Sequence, residues 1–165
     1  MPNRAFTRRN FLTGLAVAGV LLNLKGTRAM AAGTAYTVTK SDAEWRRQLS
    51  AAQYEVLRAH GTEPPGSSPL NDEKRAGLYL CAACAQPLFD AKTKYNSGTG
   101  WPSFWDHLPT AISTTTDHKL IVPRTEVHCA RCGGHLGHVF EDGPKPTGLR
   151  YCMNGVALTF EAARA

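Results

Sequence analysis

The sequence predicts a small, mainly β domain of antiparallel strands with short N-terminal helices and a metal staple. Three observations carry this. From Gly77 onward, short β-branched runs alternate with turn residues. Two helix-start signals precede that region. Two Cys-x-x-Cys units, CAAC (81–84) and CARC (129–132), stand 44 residues apart.

The 165 residues are most simply one domain, long enough to bury a core. The formal charge of +6 invites a nucleic-acid reading, but the charge is unevenly placed. Residues 1–31 hold Arg4, Arg8, Arg9, Lys25 and Arg28 and no acid, which leaves 14 basic against 13 acidic residues in 32–165. The basicity belongs to the leader, so clustered phosphate contacts are not expected of the folded domain and no nucleic-acid partner is expected.

TRRNFLTG (7–14) sets paired arginines before an apolar run from Phe11 to Leu24, and Ala29-Met30-Ala31 offers small residues for cleavage. The run suits a signal h-region and is short for a membrane span. The pattern resembles a twin-arginine export signal over 1–31. The expected location is periplasmic, or membrane-tethered if the signal stays uncleaved. Ala32 to Thr39 then reads as a linker, and the domain proper as 40–162.

Ser41-x-x-Glu44 and Ser50-x-x-Gln53 are successive capping-box signatures. The first predicts a helix over about 42–49, carried by Trp45 and Leu49. The second predicts a helix through Tyr54, Val56 and Leu57, with Gly61 as its stop. TEPPGSSPLN (62–71) is too rich in Pro, Gly and Ser for regular structure. Strands are predicted at 78–81, 87–89, 111–116, 118–123, 125–128, 137–140, 149–153 and 156–160. No long apolar heptad or exposed apolar strand run points to an oligomer, so a monomer is expected.

A two-residue spacer lets one tight turn aim both sulfurs at one ion, and two such turns complete a tetrahedron. Cys81, Cys84, Cys129 and Cys132 therefore read as a structural zinc site. Export to an oxidising compartment keeps disulfides within or between the pairs as the alternative.

Cys152 has no partner. In a strand over RYCMN, Arg150, Cys152 and Asn154 share one face while Tyr151 and Met153 take the other. A thiol flanked by a cation and an amide suits a nucleophile, although a lone cysteine is also an ordinary small core residue. GGHLGHVFEDGP (133–144) places His135 and His138 just after the second knuckle, where imidazoles suit proton donation. Taken singly, each is as well explained as a structural group. Trp101, in SGTGWPSF (97–104), sits in a Gly- and Pro-rich loop and reads equally as a pocket wall or as core.

Together EWRRQLS…YEVLRAHGTEPP, GWPSFW, CAAC…CARC, GGHLGHVFEDGP and PTGLRYCMNG closely resemble the B-type peptide-methionine-sulfoxide reductases, from about Lys40 to Phe160. The resemblance implies two small antiparallel sheets in a β-tent-like arrangement. It implies reduction of peptide-bound methionine-R-sulfoxide, with oxidised proteins or peptides as substrate. Cys152 would be the catalytic cysteine, and Cys81, Cys84, Cys129 and Cys132 the ligands of a structural zinc. His135, His138, Asn154 and Arg150 would line the active site, and the Trp101 indole would receive the substrate methyl group. In two-cysteine members a resolving cysteine occupies the position of Thr99. Threonine there implies an external reductant, a thioredoxin-like protein or a small thiol. A zinc-stapled binding module without activity, and another zinc enzyme on a related scaffold, are the competing readings.

Overall fold

The computed structural model describes residues 36–164. The predicted signal and the first residues of the predicted linker lie outside the described residues.

Both capping boxes form. Ser41 and Ser50 each accept from the backbone three residues on, and Glu44 and Gln53 reach back to their cap amides. They start α1 (Asp42–Gln48) and α2 (Ala51–Leu57). Seven residues are too few for a helix to persist alone. These two are held by burying Trp45, Leu49, Val56 and Leu57. Beyond α2 the chain turns at His60, whose φ is 58°, while the Gly61 amide donates to the Glu55 carbonyl. The left-handed residue that ends the helix is thus His60 rather than the predicted Gly61, because its ring is anchored on Glu126 at 2.6 Å.

Nine strands follow: β1 (Gly77–Cys81), β2 (Pro87–Asp90), β3 (Lys94–Tyr95), β4 (Ser103–Phe104), β5 (Ile112–Asp117), β6 (Arg124–Cys129), β7 (His135–Phe140), β8 (Arg150–Met153) and β9 (Leu158–Ala162). They form two antiparallel sheets, ordered β2-β1-β9 and β3-β4-β8-β7-β6-β5. The fold is mainly β with two short leading helices, as the sequence predicts. The core lies between the sheets, where Phe89 stacks on Phe104 at 4.3 Å and Tyr79 meets Phe104 and Phe160 edge-on or tilted at 4.9 and 5.0 Å.

One predicted strand is absent. Residues 118–123 form the loop of the β5–β6 hairpin, with Leu120, Ile121 and Val122 exposed. The Asp117 carboxylate accepts the Lys119 amide at 2.8 Å, which takes that donor out of any ladder. Strands β3 and β4, two residues each, have no readable pattern. Leu158–Ala162 begins later than predicted because Gly155–Ala157 forms a 3-10 turn, whose first amides donate to the Glu63 carboxylate at 2.5 and 2.9 Å. Glu63 thereby fixes the irregular 62–71 segment to the sheet.

Strand β7 carries the feature that positions the site. Its register on β6 slips between Val127 and His128, so that His135 pairs with His128 while Gly137 pairs with Val127. A bulge of this kind offsets the strict alternation of a strand, so that His135, bound to Glu126, and His138, paired across from Glu126, share a face. Strand β7 also lies unusually close to β8. A Cβ on Gly137 would fall 2.1 Å from the Cys152 carbonyl oxygen. Gly137→Ala is expected to cost about 2 kcal/mol through this overpacking, seen as a lower urea midpoint with an unchanged m-value.

Candidate active site

The four paired cysteines converge. Cys81 and Cys84 come from the end of β1 and the turn after it, Cys129 and Cys132 from the end of β6 and the turn that leads to β7. Cys81 Sγ lies 3.7 Å from Cys132 Sγ, and Cys84 Sγ 3.6 Å from Cys129 Sγ. All four sulfurs lie within 4.8 Å of one another. A tetrahedral ion with metal–sulfur bonds of about 2.3 Å needs sulfur–sulfur edges of about 3.8 Å, so the cluster is shaped to hold a metal. Hydrogen bonds among the sulfurs pull Cys84 and Cys129 below the ordinary thiol range and push Cys81 and Cys132 above it. The five cysteines are free.

The helices brace this cluster. Gln48 donates to the Ala83 carbonyl at 2.6 Å, and Arg58 donates to the Cys132 carbonyl at 3.1 Å. Val38 donates to the Arg131 carbonyl at 3.0 Å, and the Tyr36 ring occupies the space a Cβ on Gly133 would need. Residues 36–38, read from sequence as part of a linker, therefore lie against the second knuckle.

Cys152 sits near the middle of the six-stranded sheet. It pairs across β8 with Ser103 on one side and with His138 on the other, and His138 pairs in turn with Glu126. Directly opposed residues share a face, so Ser103, Cys152, His138 and Glu126 make a polar row across four strands. The other face of β8 is core: Tyr151 and Met153 are buried, as alternation predicts. A cleft of about 130 Å³ opens over Cys152, lined by Trp101, His138, Phe140 and Asn154, with Thr62 and Arg124 at its edge. A larger apolar groove of about 680 Å³ runs between α2, the 62–70 segment and the start of β9. It holds no thiol or imidazole, so the thiol chemistry belongs to the smaller cleft.

Each side chain around Cys152 is tethered. The His138 ring lies 2.8 Å from Asp117 Oδ2, an oxygen that also accepts from Arg124 at 2.6 Å. The Lys119 amide, His138 and Arg124 hold the Asp117 carboxyl well below the usual range. Burial lowers the His138 imidazole below its ordinary value, and the opposing pull of Asp117 does not restore it. His135, 2 % exposed, donates to Glu126 at 2.5 Å, and burial lowers it to about 4. Burial pushes Glu126 up, but the hydrogen bond from His60 and the neighbouring imidazoles outweigh it and leave the carboxyl at about 2. At neutral pH this pair is a carboxylate and a neutral imidazole.

Asn154 is buried just past the end of β8. It accepts from the Glu63 amide at 3.0 Å and donates to the Leu136 carbonyl at 3.1 Å. Trp101 donates to the Glu63 carbonyl at 3.0 Å, which turns the indole edge inward and its face to the cleft wall. The Thr99 hydroxyl lies 3.7 Å from Cys152 Sγ and 2.8 Å from the Ser97 hydroxyl, which in turn reaches Ser103 at 2.7 Å.

The structure thus gathers Cys152, His138, Asn154 and Trp101 around one cleft, with His135 beside His138 at a ring separation of 5.5 Å. Arg150 is held differently. Its guanidinium makes two bonds to Asp142, at 2.8 and 2.7 Å, and lies over the Phe140 ring at 4.4 Å, so it backs the cleft wall while Arg124 borders the opening. Asp117, Glu126, Glu63 and Arg124 were not singled out in the sequence. For Asp117, Arg124 and Glu126 the local signal is that acids and an arginine flank a hairpin that ends at a knuckle; Glu63 has none.

A half-buried thiol on a rigid strand, with a carboxylate-backed imidazole opposite it and an aromatic wall above, defines a thiol-dependent enzyme. Comparison gives the family. The SelR domain matches residues 49–162. Proteins named peptide methionine sulfoxide reductase MsrB are similar over most of their length. That of Agrobacterium fabrum is 53 % identical over 129 residues, covering 78 % of this chain and 96 % of that protein. That of Leifsonia xyli is 55 % identical over 128 residues, covering 76 % and 92 %, and that of Pseudomonas putida 52 % over 125 residues, covering 75 % and 94 %. The chain belongs to the B-type peptide methionine sulfoxide reductases.

Cys81→Ser is expected to weaken cobalt binding and lower the thiolate-to-metal charge-transfer intensity per ion, since three of the four sulfurs remain. It should lower the melting temperature by on the order of 10 °C, since metal affinity at such a site is folding free energy. Absorption and calorimetry on the same sample check both.

Proposed function

We propose that this enzyme reduces peptide-bound methionine-R-sulfoxide through a sulfenic acid at Cys152, using an external thiol, and that four cysteines hold a structural zinc. The observation that carries the reading is the cross-strand pair of Cys152 and His138 at the floor of a cleft walled by Trp101.

The sulfoxide methyl group packs between the Trp101 and Phe140 rings, where sulfur–aromatic contact is mildly favourable. Cys152 attacks the sulfoxide sulfur as thiolate while the imidazole of His138 delivers a proton to the departing oxygen's position. A lowered imidazole pKa makes the protonated ring a stronger acid than ordinary imidazolium, which suits this transfer. His135 and Asp117 hold the His138 side of the site, and Asn154 fixes the strand end. The sulfur–sulfur bond formed by the attack and the substrate's sulfur–oxygen bond then both break as the protonated oxygen passes to the Cys152 sulfur; methionine leaves with the electron pair, and the thiol has become a sulfenic acid. Two external thiols then reduce it: one forms a mixed disulfide with release of water, and the second frees Cys152 as the external disulfide forms. In the opposite epimer the oxygen and lone pair exchange places, and the proton misses the oxygen.

Zinc is supported by the four-thiolate donor set and its tetrahedral spacing. It would close a staple between the sheets and take no part in the reaction. Thr99 supports the external reductant, because the residue against Cys152 offers a hydroxyl and the other four cysteines are gathered in one cluster. The leader at 1–31 supports a role in repairing exported, oxidised proteins, with the enzyme delivered to the periplasm by the twin-arginine route; a monomer suffices for the site.

Separate R and S sulfoxides of a blocked methionine, offered with a small dithiol, test the reading. Turnover of R alone is expected, lost in Cys152→Ser with the metal content unchanged. His138→Gln is expected to lower kcat by about 10²-fold or more. Turnover retained in Cys152→Ser would overturn the assignment.

A further inference from the structure

A second convergence of ligand-type side chains lies behind the cleft. His60, Glu126, His128 and His135 each direct one donor atom to a common point, all within 4.8 Å of one another. None of these is a cysteine, and they come from three places in the chain: the turn after α2, strand β6 and the start of β7. His128 and His135 are cross-strand partners, and Glu126 is two residues from His128 on the same strand face.

As a hydrogen-bond network this cluster is oversubscribed. Glu126 Oε1 has His135 Nδ1 at 2.5 Å, His60 Nδ1 at 2.6 Å and His128 Nε2 at 3.1 Å. One carboxylate oxygen has two lone pairs, and it serves His60 and His135. His128 is left out. Both its ring nitrogens are buried without a hydrogen-bond partner, and its side chain is 8 % exposed. An imidazole so deeply buried without a partner is costly to keep. Its Nε2 lies 3.1 Å from the shared oxygen but off the hydrogen-bond direction.

We infer that His60, Glu126, His128 and His135 form a second metal site, distinct from the cysteine cluster, that takes one divalent first-row transition ion of the zinc kind. Three imidazole nitrogens with one carboxylate oxygen are the borderline donor set such ions prefer, whereas four thiolates make a softer site. Bonds of about 2.0–2.1 Å need donor–donor edges of about 3.3 Å. The Glu126 oxygen needs to withdraw by less than about 1 Å to open that space between the rings. The carboxylate supplies one negative charge, His135 is already neutral, and His128 gains the partner it lacks. Access is from the His60 side, whose ring is 42 % exposed. An ion here would tie the end of α2 to the sheet and keep His135 as a ligand. The inference rests on this cluster alone and stands whether or not the chain reduces a sulfoxide.

The test is cobalt titration of the purified chain with its cysteine cluster already loaded with zinc. One further Co²⁺ per chain is expected, with visible d–d absorption and no near-ultraviolet thiolate charge transfer, and with displacement by added Zn²⁺. His60→Ala changes an exposed side chain and should weaken this binding by at least about tenfold. His128→Leu, which fills the orphan's place with apolar volume, should abolish it. No second equivalent at about 100 µM free Co²⁺, or a second equivalent unchanged in either folded variant, overturns the site. If His128→Leu does not fold, His60→Ala alone decides.

Discussion

The cysteine clamp is the constraint from which the rest of the molecule takes its position. It joins the end of the middle strand of the small sheet to the hairpin turn of the large one, bringing together two units with 44 residues between them. Closing a loop of that length costs conformational entropy that neither small sheet repays by its own burial. The sulfurs meet at one corner, and three otherwise weak elements lean on the same corner: α1 through Gln48, α2 through Arg58 and the chain's approach through Val38. Each is a single hydrogen bond to a knuckle carbonyl. Seven-residue helices gain from such anchoring the permanence that their length denies them.

From that corner the reacting groups are placed by counting along one strand. His135 follows Cys132 by three residues, and β7 runs straight from the knuckle to His138. The bulge opposite Val127 and His128 then brings two histidines, three positions apart, to the same face, where His135 meets Glu126 and His138 meets Asp117. The next strand brings Cys152 opposite His138, and Gly137 lets the two strands approach closely enough for the pair to share the cleft floor. The cysteine cluster and the Cys152 thiol, which never touch, are therefore linked through one short, nearly inextensible piece of backbone.

Much of this was legible in the sequence because it is written locally. Capping boxes occupy four residues, a CxxC turn occupies four, and the alternation that exposes Cys152 while burying Tyr151 and Met153 occupies five. Asp117 and Glu126 were not legible, since their importance lies in which strand they face, and register between strands is a non-local property. The bulge escaped for the same reason. The apolar run at 118–123 misled because β-branched residues carry a strand signal even where an Asx turn has removed the amide a strand needs. Arg150 was read as the cation beside the thiol; Asp142 and Phe140 hold its guanidinium against the wall within electrostatic reach of Cys152, and Arg124, not singled out, is a second arginine on the cleft.

Thr99 has a kinetic meaning that its quiet place against Cys152 does not advertise. A sulfur at that distance would meet an oxidised Cys152 as a tethered neighbour, at an effective concentration no freely diffusing molecule reaches. With a hydroxyl there instead, recovery of the oxidised thiol becomes a collision between two molecules. In the proposed cycle the enzyme's pace is then set by its surroundings: fast where thiols are plentiful, and idling in its oxidised form where they are scarce.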